Sequence, residues 1–200
     1  MMKRFMMMCA IVIAVAGLAG AAPTTLITFD EFPLGTLIDT EYAPLGVVFL
    51  PGDVTPSLPQ ISMNGAMPDQ PVLRPTGEAL PGYPTVGYIF QGDFWMQFTT
   101  PATEVQFDSG WWDTLGTGVI NVYNPAMNPL ASLTNTVTGV DTISISGLGP
   151  VGYIYFNSIA DGAGADIDNL GFSPIPAPGA IVLGSIGVGL IGWLRRRRTL

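Results

Sequence analysis

Histidine is absent from this 200-residue chain, cysteine occurs once, and Lys and Arg together number 7 against 15 acids. Without imidazole there is no metal–histidine site, no Ser-His-Asp triad and no side chain that ordinarily shuttles protons near neutral pH. The one cysteine, Cys9, lies in the N-terminal apolar stretch, so the rest of the chain has neither a disulfide framework nor thiol chemistry. No glycine-rich phosphate loop follows a strand pattern, and Asp161-Gly162-Ala163-Gly164 reads as a turn. Two carboxylates at a set separation suffice for glycoside hydrolysis, but 15 acids make some such pair unavoidable and therefore uninformative. The chain is accordingly read as non-enzymatic.

Basic residues are also missing from the middle. Lys3, Arg4 and Arg195 to Arg198 sit at the two ends, which leaves Arg74 alone among all 15 acids, a net charge of −14 for the interior. Such a surface repels nucleic acid and anionic membrane, and it attracts divalent cations and basic surfaces.

The two ends read as addresses. Lys3 and Arg4 precede an apolar stretch from Phe5 to Leu18, and Ala19-Gly20-Ala21 fits an A-x-A cleavage site, so residues 1–21 are expected to be a signal peptide handled by the Sec translocon and signal peptidase. At the other end, residues 174–200 divide into a proline-rich linker (174–179), an uncharged apolar run (180–194) and a basic end (195–198). As a helix the run would cover about 22 Å at about 1.5 Å per residue, short of a hydrocarbon core of about 30 Å. Trp193 suits the headgroup boundary, and the arginines favour the cytoplasmic side.

Pro176-Ala177-Pro178-Gly179, the apolar run and Arg195-Arg196-Arg197-Arg198 together resemble the PEP-CTERM sorting signal, a tail also labelled an ice-binding-protein C-terminal domain. Pro-Ala-Pro stands here where that signal usually has Pro-Glu-Pro. The resemblance implies a substrate of an exosortase-like sorting enzyme, anchored transiently or permanently in the inner membrane by its short transmembrane helix and then destined for the cell surface or extracellular matrix.

Residues 22–173 are expected to form one all-β domain, a single β-sandwich or jelly roll flanked by the signal helix and the short transmembrane helix. Runs rich in β-branched and aromatic residues recur between turn-forming residues at 25–29, 46–50, 86–90, 94–98, 105–112, 119–123, 142–146, 151–156 and 166–172. No stretch between the termini has amphipathic helical periodicity. Residues 51–84 carry eight prolines, so an extended surface loop with at most short edge strands is expected.

The opening Leu26-Ile27-Thr28-Phe29-Asp30-Glu31 and the closing Asp166-Ile167-Asp168-Asn169-Leu170-Gly171-Phe172 look like those of exported jelly-roll domains related to carbohydrate-binding modules. The resemblance implies that the first and last strands pair, and that Asp30, Glu31, Asp166 and Asp168 hold a structural calcium, which takes six to eight oxygen ligands. Trp111 and Trp112 are adjacent, so in a regular strand they point to opposite faces and only one can enter a given core. The other is either a candidate stacking platform for a sugar ring, with Trp95, Tyr83 or Tyr88 as neighbours, or a ring buried under the proline-rich loop. The best reading is an exported, non-catalytic module that binds carbohydrate or exopolysaccharide. The alternatives are a structural coat protein without a ligand and, last, an ice-binding protein, for which the alternating Thr134, Thr136 and Thr138 have no neighbouring repeat.

Overall fold

The computed structural model describes residues 23–63, 71–75 and 90–175. The signal peptide, the sorting tail from Pro176 through Arg198, most of the strand expected at 86–90, and Tyr83 and Tyr88 lie outside the described residues. None of the described helices is long and apolar enough to cross a membrane.

Among the described residues nine strands run in chain order: β1 (Thr25–Ile27), β2 (Val47–Pro51), β3 (Gln60–Ser62), β4 (Val72–Arg74), β5 (Asp93–Trp112), β6 (Val119–Tyr123), β7 (Pro129–Leu133), β8 (Gly139–Asn157) and β9 (Asp166–Pro174). A 3-10 turn, Ala43–Leu45, precedes β2. The fold is all-β, and all strand pairings among these elements are antiparallel. They form one hydrogen-bonded sheet in the order β3-β4-β9-β5-β8-β6-β7, to which β1 adds on β9 and β2 on β5.

One continuous sheet replaces the separate sheets of an ordinary sandwich because four expected strands fuse into two long ones. β5 unites 94–98 with 105–112, and β8 unites 142–146 with 151–156. Each long strand changes direction where its ladder slips. In β5 the register shifts between Gln97 and Ala102, around Pro101, which has no N–H for a ladder. In β8 the corner holds Gly147 and Gly149, both at positive φ (71° and 89°), and Pro150.

These corners fold the sheet over itself into two leaves. The first contains β2, residues 93–98 of β5, residues 151–157 of β8, β6 and β7. The second contains residues 139–146 of β8, residues 104–112 of β5, β9, β1, β4 and β3. Alternation sends Phe94, Met96, Phe98, Ile154 and Phe156 inward from the first leaf, and Val105, Phe107, Ile143, Ile145 and Phe172 inward from the second. Their rings meet across the core: Phe98 with Phe172 at 5.1 Å, Trp112 with Phe156 at 5.9 Å and Phe107 with Phe156 at 6.4 Å.

The first and last described strands do pair, Thr25 opposite Phe172 and Ile27 opposite Leu170. The proline-rich segment contributes two three-residue strands, β3 and β4, with β3 at a sheet edge, in keeping with the short edge strands expected there. Outside that segment, only β7 of the described strands falls in no expected run. Its sequence, Pro-Leu-Ala-Ser-Leu, has no β-branched or aromatic residue, and pairing with β6 imposes its conformation.

Candidate functional site

The outer face of the first leaf carries aromatic rings instead of the usual polar cover. Ladder partners share a face, so the register aligns Leu50, Trp95, Tyr155, Asn121 and Ser132 in one row, and Val48, Gln97, Tyr153, Tyr123 and Pro129 in the next. Trp95 lies 4.8 Å from Tyr155 and 5.4 Å from Tyr123, ring centre to ring centre, tilted at 43° and 45°. Trp95, Tyr123, Tyr153, Gln97 and Asn121 are partly exposed, whereas Tyr155 is nearly covered. From β5 to β7 this surface spans three strand steps of about 4.8 Å, about 14 Å in all. It ends in an open cleft of about 310 Å³ lined by Asn121, Tyr123, Pro129, Leu130, Ala131 and Ser132.

A buried carboxylate holds the platform from its edge. Asp93 is fully buried, and its side chain accepts from Val54 N (2.9 Å), Thr55 N (2.7 Å), the Thr55 hydroxyl and the Tyr155 hydroxyl (2.7 Å). Asn157 Nδ2 donates to that same Tyr155 hydroxyl at 3.0 Å. Burial first, then the hydrogen bond to Asp93, pushes the Tyr155 phenol well above its ordinary pKa of 10.0. The ring therefore stays neutral and fixed. Gly52 makes the loop's approach feasible: a Cβ there would lie 2.2 Å from Asp93 Cγ. The same loop brings Asp53 to accept from Trp95 Nε1 at 2.9 Å, which sets the rotation of the indole.

The adjacent tryptophans separate as alternation requires, with an added distortion. Trp112 is 1% exposed and belongs to the core, against Gly118, where a Cβ would meet its ring at 2.4 Å. Trp111 is 39% exposed, with φ at 76°, in a β-bulge between Ser109 and Trp112. The loop that follows is pinned by the buried Asp161, which accepts from Asp113 N (3.1 Å), Thr114 N (3.2 Å), the Thr117 hydroxyl (2.8 Å) and Ala163 N (3.2 Å). Trp111 belongs to the second-leaf end of β5, whereas Trp95 belongs to the first. Of the three candidate tryptophans, Trp95 has the platform, Trp111 is a separate exposed ring and Trp112 is a core residue.

The four acids expected to hold calcium are divided between surface and interior. Asp30 and Glu31 are exposed, with Glu31 accepting from the Tyr42 hydroxyl at 2.9 Å, whereas Asp166 and Asp168 are fully buried in β9. Among the described residues no three Asp, Glu, His or Cys side chains group as a metal site. Register accounts for the buried pair in another way. Leu73 of β4 faces Ile167, so Arg74, next along the strand, falls on the face to which Asp166 and Asp168 point. Arg74 also donates to Gln60 Oε1 and lies 5.9 Å over the Phe90 ring.

Asp53, Asp93, Asn121, Tyr123, Tyr153 and Tyr155 were not singled out from the sequence. Tyr153 and Tyr155 are two apart, hence on one face of a strand, but which rings of other strands join them depends on register.

No protein-family model matches the chain, and neither does any curated protein. Solved structures similar in outline include an arabinose-bound α-L-arabinofuranosidase, at 11% identity and a TM-score of 0.40. The match covers 79% of this chain but 27% of the enzyme. They also include two variants of a family 29 carbohydrate-binding module. One, at 14% identity and TM-score 0.39, covers 78% of this chain and 99% of the module; the other, at 12% and 0.33, covers 66% and 98%. Likeness this loose is one of general strand arrangement, and the site stands on its own residues.

Proposed function

We propose that the domain is a non-catalytic carbohydrate-binding module whose ligand lies on the outer face of the first leaf. The observation that carries this is the partly exposed Trp95, braced by Tyr155 and Tyr123 and rotationally fixed by Asp53. Folding does not call for rings on that face, since the core is already built from the opposite face of the same strands. A pyranose ring has an apolar C–H face and an equatorial fringe of hydroxyls. The first fits an indole or phenol surface, and the second fits the amides of Gln97 and Asn121 and the hydroxyl of Tyr153. Because the rings are held before the ligand arrives, little ordering entropy is lost on binding.

The terminal segments support a place for the module. The signal peptide and PEP-CTERM-like tail expected from the sequence suit a protein exported and sorted to the cell surface or matrix, where an exopolysaccharide would be within reach. Intact-mass measurement on protein from its native host tests processing at both ends.

The binding reading is tested by Trp95→Ala on an immobilised polysaccharide array, with thermal melting in parallel. Loss of retention with a folded domain supports it. A wild-type protein blank on every polysaccharide overturns it in favour of a structural coat.

A further inference from the structure

We infer that the platform selects uncharged glycans and rejects those bearing carboxylate or sulfate groups; this rests on the carbohydrate-binding reading above and names its substrate class.

Recognition of an anionic sugar calls for a guanidinium, an ammonium or a convergent set of N–H donors at the site. Residues 23–175 contain one basic side chain, Arg74, and no histidine. Arg74 is on β4, which belongs to the second leaf, where it contacts Gln60 and Phe90. The rows that carry Trp95, Tyr155, Tyr153 and Tyr123 contain only aromatic, aliphatic, amide and hydroxyl side chains. The charge that does border them is negative. Asp53 is exposed, and one of its carboxylate oxygens is engaged by the Trp95 indole. A uronate stacked on that indole would bring its carboxylate close to Asp53 with no cation to offset the repulsion. Beyond this contact, the surplus of acids over the whole domain opposes the approach of a polyanion, a long-range effect that salt screens. A neutral glycan meets neither penalty and uses the same rings and amides.

Matched polymers separate charge from backbone chemistry. Affinity electrophoresis or surface retention of the full chain would compare methylcellulose with carboxymethylcellulose, esterified with de-esterified pectin, and dextran with dextran sulfate. EDTA throughout prevents divalent ions from bridging acid to acid. For whichever backbone binds, the neutral polymer should be retained at least about tenfold more strongly than its charged partner near 10 mM NaCl. That gap should narrow toward about twofold at 1 M, as the screening length falls from about 30 Å to about 3 Å. Asp53→Asn keeps an acceptor for the indole and removes the nearest charge, so the anionic-to-neutral retention ratio should rise several-fold at low salt. Equal or stronger retention of the charged partner at low salt overturns the selectivity while leaving carbohydrate binding intact, as does anionic binding that weakens with added salt. Retention of none of the six polymers overturns the binding reading itself, and the selectivity with it.

Discussion

Two stretches of the same pair of strands present opposite outer surfaces. In the first leaf, β5 and β8 turn Trp95, Gln97, Tyr153 and Tyr155 outward; in the second, the same strands turn out Glu104, Gln106, Asp108, Thr142, Ser144 and Ser146. Their inward positions are alike, branched aliphatic and aromatic residues packed into one core. The second leaf shows what these strands need in order to fold, namely an apolar inner face and a polar cover. Asp108 accepts from Thr142 Oγ1 at 2.6 Å and from Asn169 Nδ2 at 3.1 Å, as such a cover would. Rings on the first leaf exceed that need, and this surplus is what points to a ligand.

The comparison breaks most sharply at the core. Trp112→Ala should lower stability by about 3–5 kcal/mol, because the cavity left beside Phe156 and Gly118 cannot collapse fully. Chemical denaturation measures it, and a loss as small as a surface substitution gives would mean that Trp112 is not a core ring. Next in size, Asp93→Ala should cost about 3 kcal/mol, since Val54, Thr55 and Tyr155 lose a shared buried acceptor. It should also weaken glycan binding through the released Tyr155 ring, which calorimetry reads directly.

Trp95→Ala should weaken binding by about 2 kcal/mol, about thirtyfold in Kd, at a smaller cost in stability. Its counterpart in the polar leaf, Ser144→Ala, should change stability by less than about 0.5 kcal/mol. Equal effects on binding from the two would erase the distinction between the leaves.

Alkaline titration gives a subtler contrast. Tyr155 and Tyr42 are both pushed above the ordinary 10.0, Tyr42 by burial and then by its hydrogen bond to Glu31. The unfolded chain therefore gives up these protons first as pH rises. Their stabilisation is complete below pH 10 and is lost progressively above it. Tyr155→Phe should flatten the slope of stability against pH above that point, as pH-dependent melting would show. A substitution at Trp111 should go in the opposite direction. Glycine accepts a φ of 76° without strain, so Trp111→Gly should cost almost nothing or raise stability by up to about 1 kcal/mol.

Alternation in the sequence made the all-β class, the β6 boundaries and the split between Trp111 and Trp112 legible, because side-chain direction in a strand depends on the residue's own position and little else. Fusion of β5 and β8 was hidden. Pro101 and Gly147 read as breaks, whereas in the fold they are corners inside strands that continue on neighbouring ladders. The platform was hidden for a related reason: Trp95, Tyr123 and Tyr155 come from three strands, and their juxtaposition rests on a register set by the whole core. Calcium is what the jelly-roll resemblance implies for acids near the two ends; pairing of β1 with β9 brings those ends side by side, with Asp166 and Asp168 buried and Asp30 and Glu31 at the surface.

The position of β9 has a mechanical consequence. Chain leaving the domain at Ile175 continues directly from β9, which bonds to β5 along one edge and to β1 and β4 along the other, and Ile175 N itself donates to Pro101 O at 2.8 Å. Tension on the tail would therefore load many hydrogen bonds in shear at once, where peeling would break them one by one. From β9 the load passes to β5, the strand that also bears Trp95. Within the described residues, Ile175 and the platform would thus be joined through a single ladder crossing, from β9 to β5.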